Sequence, residues 1–277
     1  MGRLWNNVKT TLLMGSLMGL CLGIGYLVGG RTGLTYAFIL GGAMNLVAYF
    51  FSDKIALATM RAQRISPSDD PSLWGIVEQL SQRAGLPMPR VYISPAAAPN
   101  AFATGRGPRH SAVCVTAGLR QMLNDEELRG VIAHELSHVK NRDILISTIA
   151  AIMAGAISWL AYMAMWGNDD RRGNPLVALL LMILAPLAAG LIQMAISRSR
   201  EFEADRSGAE LVGDPRGLAR SLQKLDAASR RIPLPVPDAQ SSLFIVQPLT
   251  GSSMAKLFST HPPTEERVAR LMAMQRK

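Results

Sequence analysis

Four long apolar runs constrain the fold of this 277-residue chain more than any other feature. Residues 11–30, 33–51, 144–166 and 175–197 contain no charged side chain. Each run approaches the roughly 20 apolar residues that an α-helix needs to cross the hydrocarbon core of a bilayer. We therefore expect four transmembrane helices, arranged as one hairpin in residues 1–53 and a second hairpin in residues 144–197.

Lys and Arg are distributed unevenly around these runs, which predicts the orientation of the chain. Only three of the flanking cations lie on one side, whereas the other side carries Arg3, Lys9, Lys54, Arg61, Arg64, Lys140, Arg142, Arg198 and Arg200. By the positive-inside rule, both termini and the polar segments face the cytoplasm. This topology accounts for much of the formal net charge of +9, and the sequence has no signature of a nucleic-acid partner.

The polar segments 54–143 and 198–277 together have the size of one compact domain, assembled from two stretches of sequence. Periodicity predicts a helix over 73–84 and short strands over 90–94 and 113–116, hence a mainly helical α+β domain with a small sheet. The two cysteines, Cys21 and Cys114, lie in a span and in a strand, so a disulfide framework is not expected.

Residues 134–138 read HELSH, the H-E-x-x-H pattern of zinc metalloproteases. Residues four apart lie on one face of a helix, so His134 and His138 can bind the same metal ion while Glu135 stands beside the activated water. The alternative is an ordinary amphipathic helix with two surface histidines. Asn124 and Glu127 form a predicted capping box before the motif, and no Pro or Gly follows Gly130 before residue 155. We therefore expect this helix to continue into the third apolar run.

A catalytic zinc site usually has a third protein ligand. The remaining candidates are the acidic side chains after the fourth run and two other histidines: His110, Glu201, Glu203, Asp205 and His261. Antiparallel pairing of the third and fourth spans would return Glu201 to the motif, which makes it the best choice. Asp205 lies one turn further along the same face and would accept the second N–H of a ligating imidazole. A charged surface helix is the alternative.

At this point the chain resembles a known family, the gluzincin membrane proteases typified by the bacterial heat-shock protease HtpX, with the CAAX prenyl endoproteases as distant relatives. The resemblance covers nearly the whole chain. It rests on HELSH at 134–138, on EFEAD at 201–205, on NAFATG at 100–105 and on STHPPTEER at 259–267.

The resemblance implies a zincin-type fold, one zinc ion per chain held by His134, His138 and Glu201, and Glu135 as the general base. It also implies that Asn100 and His261 line the cleft and steady the tetrahedral intermediate, and that the segment around Ala101–Ala103 offers an edge for an extended substrate. Turn-forming roles for Asn100 and His261 are the plain alternatives. Arg267 is either a bridge to an active-site carboxylate or a surface charge.

The expected function is that of a multi-pass zinc endopeptidase of the bacterial inner membrane, with a cytoplasmic catalytic domain. Its expected substrates are misfolded or damaged membrane proteins and other unfolded polypeptides, including the protease itself. The expected role is membrane protein quality control under stress, and the oligomeric state is not predicted. Two alternatives remain: a CAAX-type processing protease, or a zinc-stabilised membrane holdase or adaptor that does not cut.

Overall fold

A computed structural model of the chain describes residues 2–143, 146–147, 150, 153–154, 157–158, 175–229 and 262–275. The chain divides into two compact units. The first comprises Met1–Phe50 and Ile146–Ser199, and the second comprises Phe51–Leu145 and Arg200–Lys277. His261 and most of the third apolar run lie outside the described residues.

The described part of the chain is mainly helical, with a small mixed sheet, as the sequence predicts. The helices are α1 (Gly2–Thr59), α2 (Pro71–Ala84), α3 (Ala117–Met122), α4 (Asp125–Asn141), α5 (Pro175–Val212), α6 (Arg216–Ser229) and α7 (Thr264–Met274). The strands are β1 (Gln63–Arg64), β2 (Arg90–Ser94), β3 (Ala101–Gly105) and β4 (Ser111–Thr116), and a short 3₁₀ turn covers Pro108–His110.

Helix α1 is interrupted near its middle. Gly29 and Gly30 leave helical geometry, with φ/ψ of −139°/18° and 58°/−139°. The positive φ of Gly30 is accessible because glycine has no Cβ. The break falls at the end of the first predicted span, and the crossing of a bilayer by the two halves stays a prediction.

The first unit has an apolar core of its own. Its buried side chains come from α1, α5 and the residues described between 146 and 158: Leu17, Cys21, Ile24, Ala150, Met153, Ala154, Ile157, Ala185, Ala189 and Ile196. Among the residues that the structure describes, one helical stretch, Met182–Val212, is long and apolar enough to cross a membrane, with a mean hydropathy of 1.4. Thr11–Leu27 is a shorter apolar stretch.

The second unit contains the sheet, in the strand order β1-β2-β4-β3. Strands β2 and β4 are parallel, whereas β1 and β3 pair antiparallel with their neighbours. The predictions of a helix at 73–84 and of strands at 90–94 and 113–116 are confirmed. Pattern analysis did not predict β3 as a strand, because its sequence AFATG is dominated by Ala and Gly rather than by β-branched residues.

Helix α4 lies at the centre of this unit, and side-chain hydrogen bonds cap its N-terminus. The Asn124 side chain accepts from the Glu127 N–H at 2.9 Å, and the Glu127 carboxylate accepts from the Asn124 N–H at 3.1 Å. The predicted capping box is therefore confirmed. Helix α4 shares a core with α2, α6 and the sheet, including Leu73, Leu80, Val113, Leu128, Ile132 and Leu222.

The expectation that α4 continues into the third apolar run is wrong. The helix ends at Asn141, and Arg142 adopts a left-handed conformation with φ 58° and ψ 32°. The Arg142 N–H bonds the carbonyls of His138 and Val139, as in a C-terminal cap. Such caps usually use Gly or Asn, so an arginine here is no helix-stop signal in the sequence.

Helices α4 and α6 pack so closely that their glycines are required. A Cβ on Gly130 would lie 2.5 Å from the Leu218 backbone nitrogen, and a Cβ on Gly217 would lie 2.6 Å from the Glu126 carbonyl oxygen. The nearest atoms at both positions belong to the backbone, so no flexible side chain could move aside for an added Cβ. The two helices therefore approach each other at a distance that only glycine allows.

We expect Gly130→Ala to lower the free energy of unfolding by about 1–3 kcal/mol, because the added methyl group overpacks the contact between α4 and α6. Gly75→Ala is the matched control, since nothing lies within 4 Å of a Cβ at this helical glycine. That substitution should be neutral or stabilise by up to about 1 kcal/mol. Thermal unfolding of the full-length chain in detergent measures both effects, and equal midpoints for the two variants would contradict the packing.

Candidate metal centre

The two histidines of the motif face each other on buried turns of α4. Their Nε2 atoms lie 3.1 Å apart. The rings meet edge to face, with centroids 4.7 Å apart and an interplanar angle of 88°. His134 and His138 therefore present two ring nitrogens to one point in space.

Glu201 of α5 completes this group. Its carboxylate oxygens lie 3.6 Å from His134 Nε2 and 3.4 Å from His138 Nε2. Taken together, the three ligand atoms lie within 4.8 Å of one another. The approach of α5 depends on Gly208, where a Cβ would lie 2.9 Å from the His134 backbone nitrogen. Glu203 points elsewhere and pairs with Arg206 at 2.6 Å.

Each imidazole contacts a carboxylate through its other nitrogen. His134 Nδ1 lies 3.0 Å from Asp205 Oδ1, and His138 Nδ1 lies 3.0 Å from Asp143 Oδ2. A carboxylate at Nδ1 holds the proton there and leaves the Nε2 lone pair free to bind a metal. Burial acts to lower the pKa of His138, but Asp143 and Glu201 raise it well above its ordinary value. The two carboxylates therefore stabilise positive charge at this ring.

Arg267 of α7 lies fully buried between two of the carboxylates. It donates to Asp205 through Nε at 2.8 Å and through Nη2 at 2.7 Å, in a bidentate contact. Its Nη1 lies 3.3 Å from Glu201 Oε2. Burial acts to lower the pKa of Arg267, but Asp205 and Glu201 raise it above its ordinary value. Of the two interpretations of Arg267 from sequence, the bridge between carboxylates is the one observed.

Glu135 is buried beside the two histidines and is oriented by the sheet. Its Oε2 accepts a hydrogen bond of 2.7 Å from the Ala103 N–H of β3. Burial raises the pKa of Glu135 above its ordinary value, although the neighbouring imidazoles and this N–H oppose the rise. A carboxylate with a raised pKa is a better proton acceptor, which suits a general base.

Three other candidate residues remain: Asn100, His110 and His261. Asn100 is buried directly before β3, where its N–H donates to Thr116 Oγ1 and its carbonyl accepts from the Thr116 N–H. His110 lies exposed in the 3₁₀ turn, outside the group formed by His134, His138 and Glu201. The position of His261 is outside the described residues, so its role and that of Asn100 stay predictions.

The donor set and the charges fit a zinc ion. Two imidazole nitrogens and one carboxylate are the ligands of many catalytic zinc sites. The buried groups around them comprise four carboxylates, on Glu135, Asp143, Glu201 and Asp205, against two guanidinium groups, on Arg200 and Arg267. This leaves a formal excess of two negative charges, which a divalent cation would neutralise.

Sequence analysis missed Asp143 and Arg200. Asp143 follows His138 by five residues, so it does not share a helical face with that histidine, and the unforeseen turn at Arg142 brings the two together. Arg200 Nη1 lies 3.1 Å from Asp143 Oδ1. From sequence alone, Arg200 is expected only as a cytoplasmic charge flanking a span. Its position next to Glu201 was the available signal.

We expect Arg267→Gln to lower the free energy of unfolding of the metal-free protein by about 3–5 kcal/mol, because Glu201 and Asp205 would stay buried without their cation. Zinc would replace part of the lost positive charge, so added zinc should raise the thermal midpoint more in this variant than in the wild type. The control is Arg216→Gln, which removes an exposed ion pair with Asp214 that contributes little to stability. An equal rise of the thermal midpoint with zinc in all three proteins would show that zinc does not compensate for the charge of Arg267.

Comparisons with known proteins identify relatives over nearly the whole chain. The sequence profile described as Peptidase family M48 matches residues 67–275. A protein named Protease HtpX homolog from Desulfatibacillum aliphaticivorans is 54% identical over 275 residues, covering 96% of this chain and 89% of that protein. A Protease HtpX homolog from Pelotomaculum thermopropionicum is 52% identical over 278 residues, covering 97% and 99% of the two chains.

A solved structure shares the fold. The crystal structure of S. mikatae Ste24p superposes with a TM-score of 0.60 at 19% sequence identity. The match covers 97% of this chain and 66% of that protein. Together with the group formed by His134, His138 and Glu201, the sequence matches show that the chain belongs to peptidase family M48 and is a zinc metalloprotease homologous to HtpX.

Proposed function

We propose that this protein is a membrane-embedded zinc endopeptidase that hydrolyses peptide bonds of misfolded or damaged membrane proteins at the cytoplasmic face. Its role would be membrane protein quality control and the stress response. The observation that carries the proposal is the position of Glu135, a buried carboxylate beside the two histidines with one oxygen anchored to a backbone N–H. A protein that only bound zinc would have no chemical need for this group.

In the proposed mechanism, Glu135 moves the proton. The hydrogen bond from Ala103 fixes Oε2, so the carboxylate keeps one orientation relative to His134 and His138. It takes a proton from the attacking water and transfers it to the nitrogen of the leaving amine. Burial makes the carboxylate more basic than it would be in water, which favours the first transfer.

His134, His138 and Glu201 are the proposed zinc ligands. A zinc ion held there supplies Lewis acidity to the water and to the scissile carbonyl. Asp205, through its contact with Nδ1, orients the ring of His134. Burial acts to raise the pKa of Asp205, but Arg267 lowers it below its ordinary value, so the carboxylate stays ionised and keeps this contact.

Strand β3 is the proposed binding edge for an extended substrate. The hydrogen bond between Thr116 N–H and the Asn100 carbonyl fixes which groups of β3 face β4. In an antiparallel pair, facing residues alternate between hydrogen-bonded and non-hydrogen-bonded pairs. Ala101 and Ala103 belong to the non-hydrogen-bonded pairs, so their backbone N–H and C=O groups point away from β4. An unfolded polypeptide, or an exposed segment of the protease itself, would pair with the backbone of Ala101 and with the carbonyl of Ala103, because the Ala103 N–H already donates to Glu135. Asn100 and His261 would steady the oxyanion of the tetrahedral intermediate.

Four membrane-spanning helices, with both termini and the catalytic unit in the cytoplasm, are part of the proposal. The four uncharged runs and the excess of Lys and Arg on one side support it. The apolar stretch Met182–Val212 is consistent with the fourth span. The bilayer would thus hold the site close to the cytosolic loops and tails of membrane proteins, in the bacterial inner membrane that the resemblance implies.

We expect Glu135→Gln to bind zinc as the wild type does but to lower kcat for an unfolded substrate such as casein about 10²- to 10⁴-fold, the usual contribution of a general base. His134→Ala should lose both zinc and cleavage. The control is Glu126→Gln, which changes an exposed carboxylate of the same helix. Zinc content and cleavage are measured on full-length protein purified with a chelator and then loaded with zinc.

Cleavage by Glu135→Gln at the wild-type rate would refute the assignment of the general base. Zinc binding without cleavage of casein or of the protein itself, in wild type as in the variants, would instead indicate a holdase or adaptor.

A further inference from the structure

The side chain that contacts His138 Nδ1 is itself held by a buried arginine. Asp143 Oδ2 lies 3.0 Å from the ring nitrogen, and Asp143 Oδ1 lies 3.1 Å from Arg200 Nη1. The side chains of Asp143 and Arg200 are only 3% and 6% exposed. His138, Asp143 and Arg200 therefore form a buried series in which each member is oriented by the next.

A second series has the same order of groups. His134 Nδ1 contacts Asp205 at 3.0 Å, and Asp205 receives two hydrogen bonds from Arg267. The two series share α5, which carries both Arg200 and Asp205, but Asp143 lies just beyond α4 and Arg267 lies on α7. At each imidazole, a carboxylate contacts Nδ1 and an arginine contacts that carboxylate, although the local backbone differs.

A buried ion pair is a poor way to stabilise a fold. The cost of taking two charges out of water offsets most of their attraction, and apolar side chains of similar size are often as good or better. Asp143 contacts the imidazole of His138, a zinc ligand, so the ion pair can instead serve to orient that ligand. A carboxylate at Nδ1 selects the tautomer whose Nε2 carries the lone pair, and it fixes the plane of the ring.

We propose that Asp143 and Arg200 are the positioning pair of His138. The proposal rests on the metalloprotease site described above and adds two residues to it. Asp143 accepts the Nδ1 proton of His138, and Arg200 keeps that carboxylate in place. Neither residue touches the substrate or the reacting atoms in this account.

The pair also connects two ligands. Arg200 directly precedes Glu201 on α5, and Glu201 Oε1 lies 3.4 Å from His138 Nε2. Asp143 lies two residues beyond the end of α4, on the far side of the left-handed Arg142. The contacts thus close a ring from His138 through Asp143, Arg200 and Glu201 back to His138. Zinc binding and the pairing of Asp143 with Arg200 should therefore favour each other.

Zinc affinity tests the proposal directly, without any measurement of cleavage. We expect Asp143→Asn to weaken zinc binding about 10- to 100-fold in full-length protein, measured by competition with a chromophoric chelator. Asparagine keeps the size and one acceptor oxygen but loses the charge. Arg200→Gln should weaken binding in the same direction and Arg200→Lys should restore most of the affinity. The double variant should bind no more weakly than Asp143→Asn alone, because Arg200 acts through Asp143.

Glu127→Gln provides the matched control. Glu127 is also buried, and it forms an ion pair of 2.7 Å with Lys224, but it contacts no ligand histidine. This variant should lose stability and keep the zinc affinity of the wild type. As a further readout, the visible spectrum of the cobalt(II)-loaded protein should change in Asp143→Asn and stay unchanged in Glu127→Gln, because only the former alters the geometry of a ligand.

Zinc affinities of Asp143→Asn and Arg200→Gln equal to that of Glu127→Gln would overturn the proposal and leave a structural ion pair. If Asp143→Asn does not fold, the comparison of Arg200→Gln with Arg200→Lys decides, and equal zinc affinities would overturn it. Because the readout is metal binding, the result is separate from the proposed function, which fails only if zinc-loaded wild type cleaves nothing.

Discussion

The site depends on the close contact between α4 and α5 at Gly208. With no side chain at this position, α5 lies against the His134 backbone, and any Cβ would come within 2.9 Å of it. Glu201 and Asp205 lie on the same helix, seven and three residues before Gly208, so all three share the face that meets α4. The HELSH motif supplies two ligands, but this helix contact brings the third ligand and one of the two supporting carboxylates to them.

The buried charges explain why the arrangement suits a divalent metal. Four carboxylates surround two histidines, and two arginines neutralise only part of that charge. The excess is visible at His138: burial acts to lower its pKa, but Asp143 and Glu201 raise it well above its ordinary value. The cluster therefore gains free energy by taking up positive charge, whether as protons or as a metal ion. The arginines also prevent the carboxylates from repelling one another out of position.

Sequence analysis predicted the parts of the site that depend on local regularities. The i, i+4 spacing places His134 beside His138, and the capping box starts α4 at the expected residue. Glu201 was chosen because antiparallel spans would return it to the motif, and it lies in the cluster with the two histidines. The strands β2 and β4 followed from their β-branched residues, whereas β3 lacks such residues and was missed as a pattern.

The remaining features depend on contacts that no periodicity encodes. A left-handed conformation at Arg142 is rare for arginine, so the end of α4 and the position of Asp143 could not be foreseen. Arg200 looked like one more cation flanking a span, although the structure buries it against Asp143. Both errors have one cause: sequence patterns report which face of an element is apolar, but not where a single irregular residue redirects the chain.

X-ray absorption at the zinc edge tests the central claim most directly, on full-length protein in detergent loaded with one equivalent of zinc. The account predicts a first shell of nitrogen and oxygen only, with the outer-shell scattering of two imidazoles. A sulfur shell, or a spectrum without imidazole scattering, would contradict the zinc site formed by His134, His138 and Glu201.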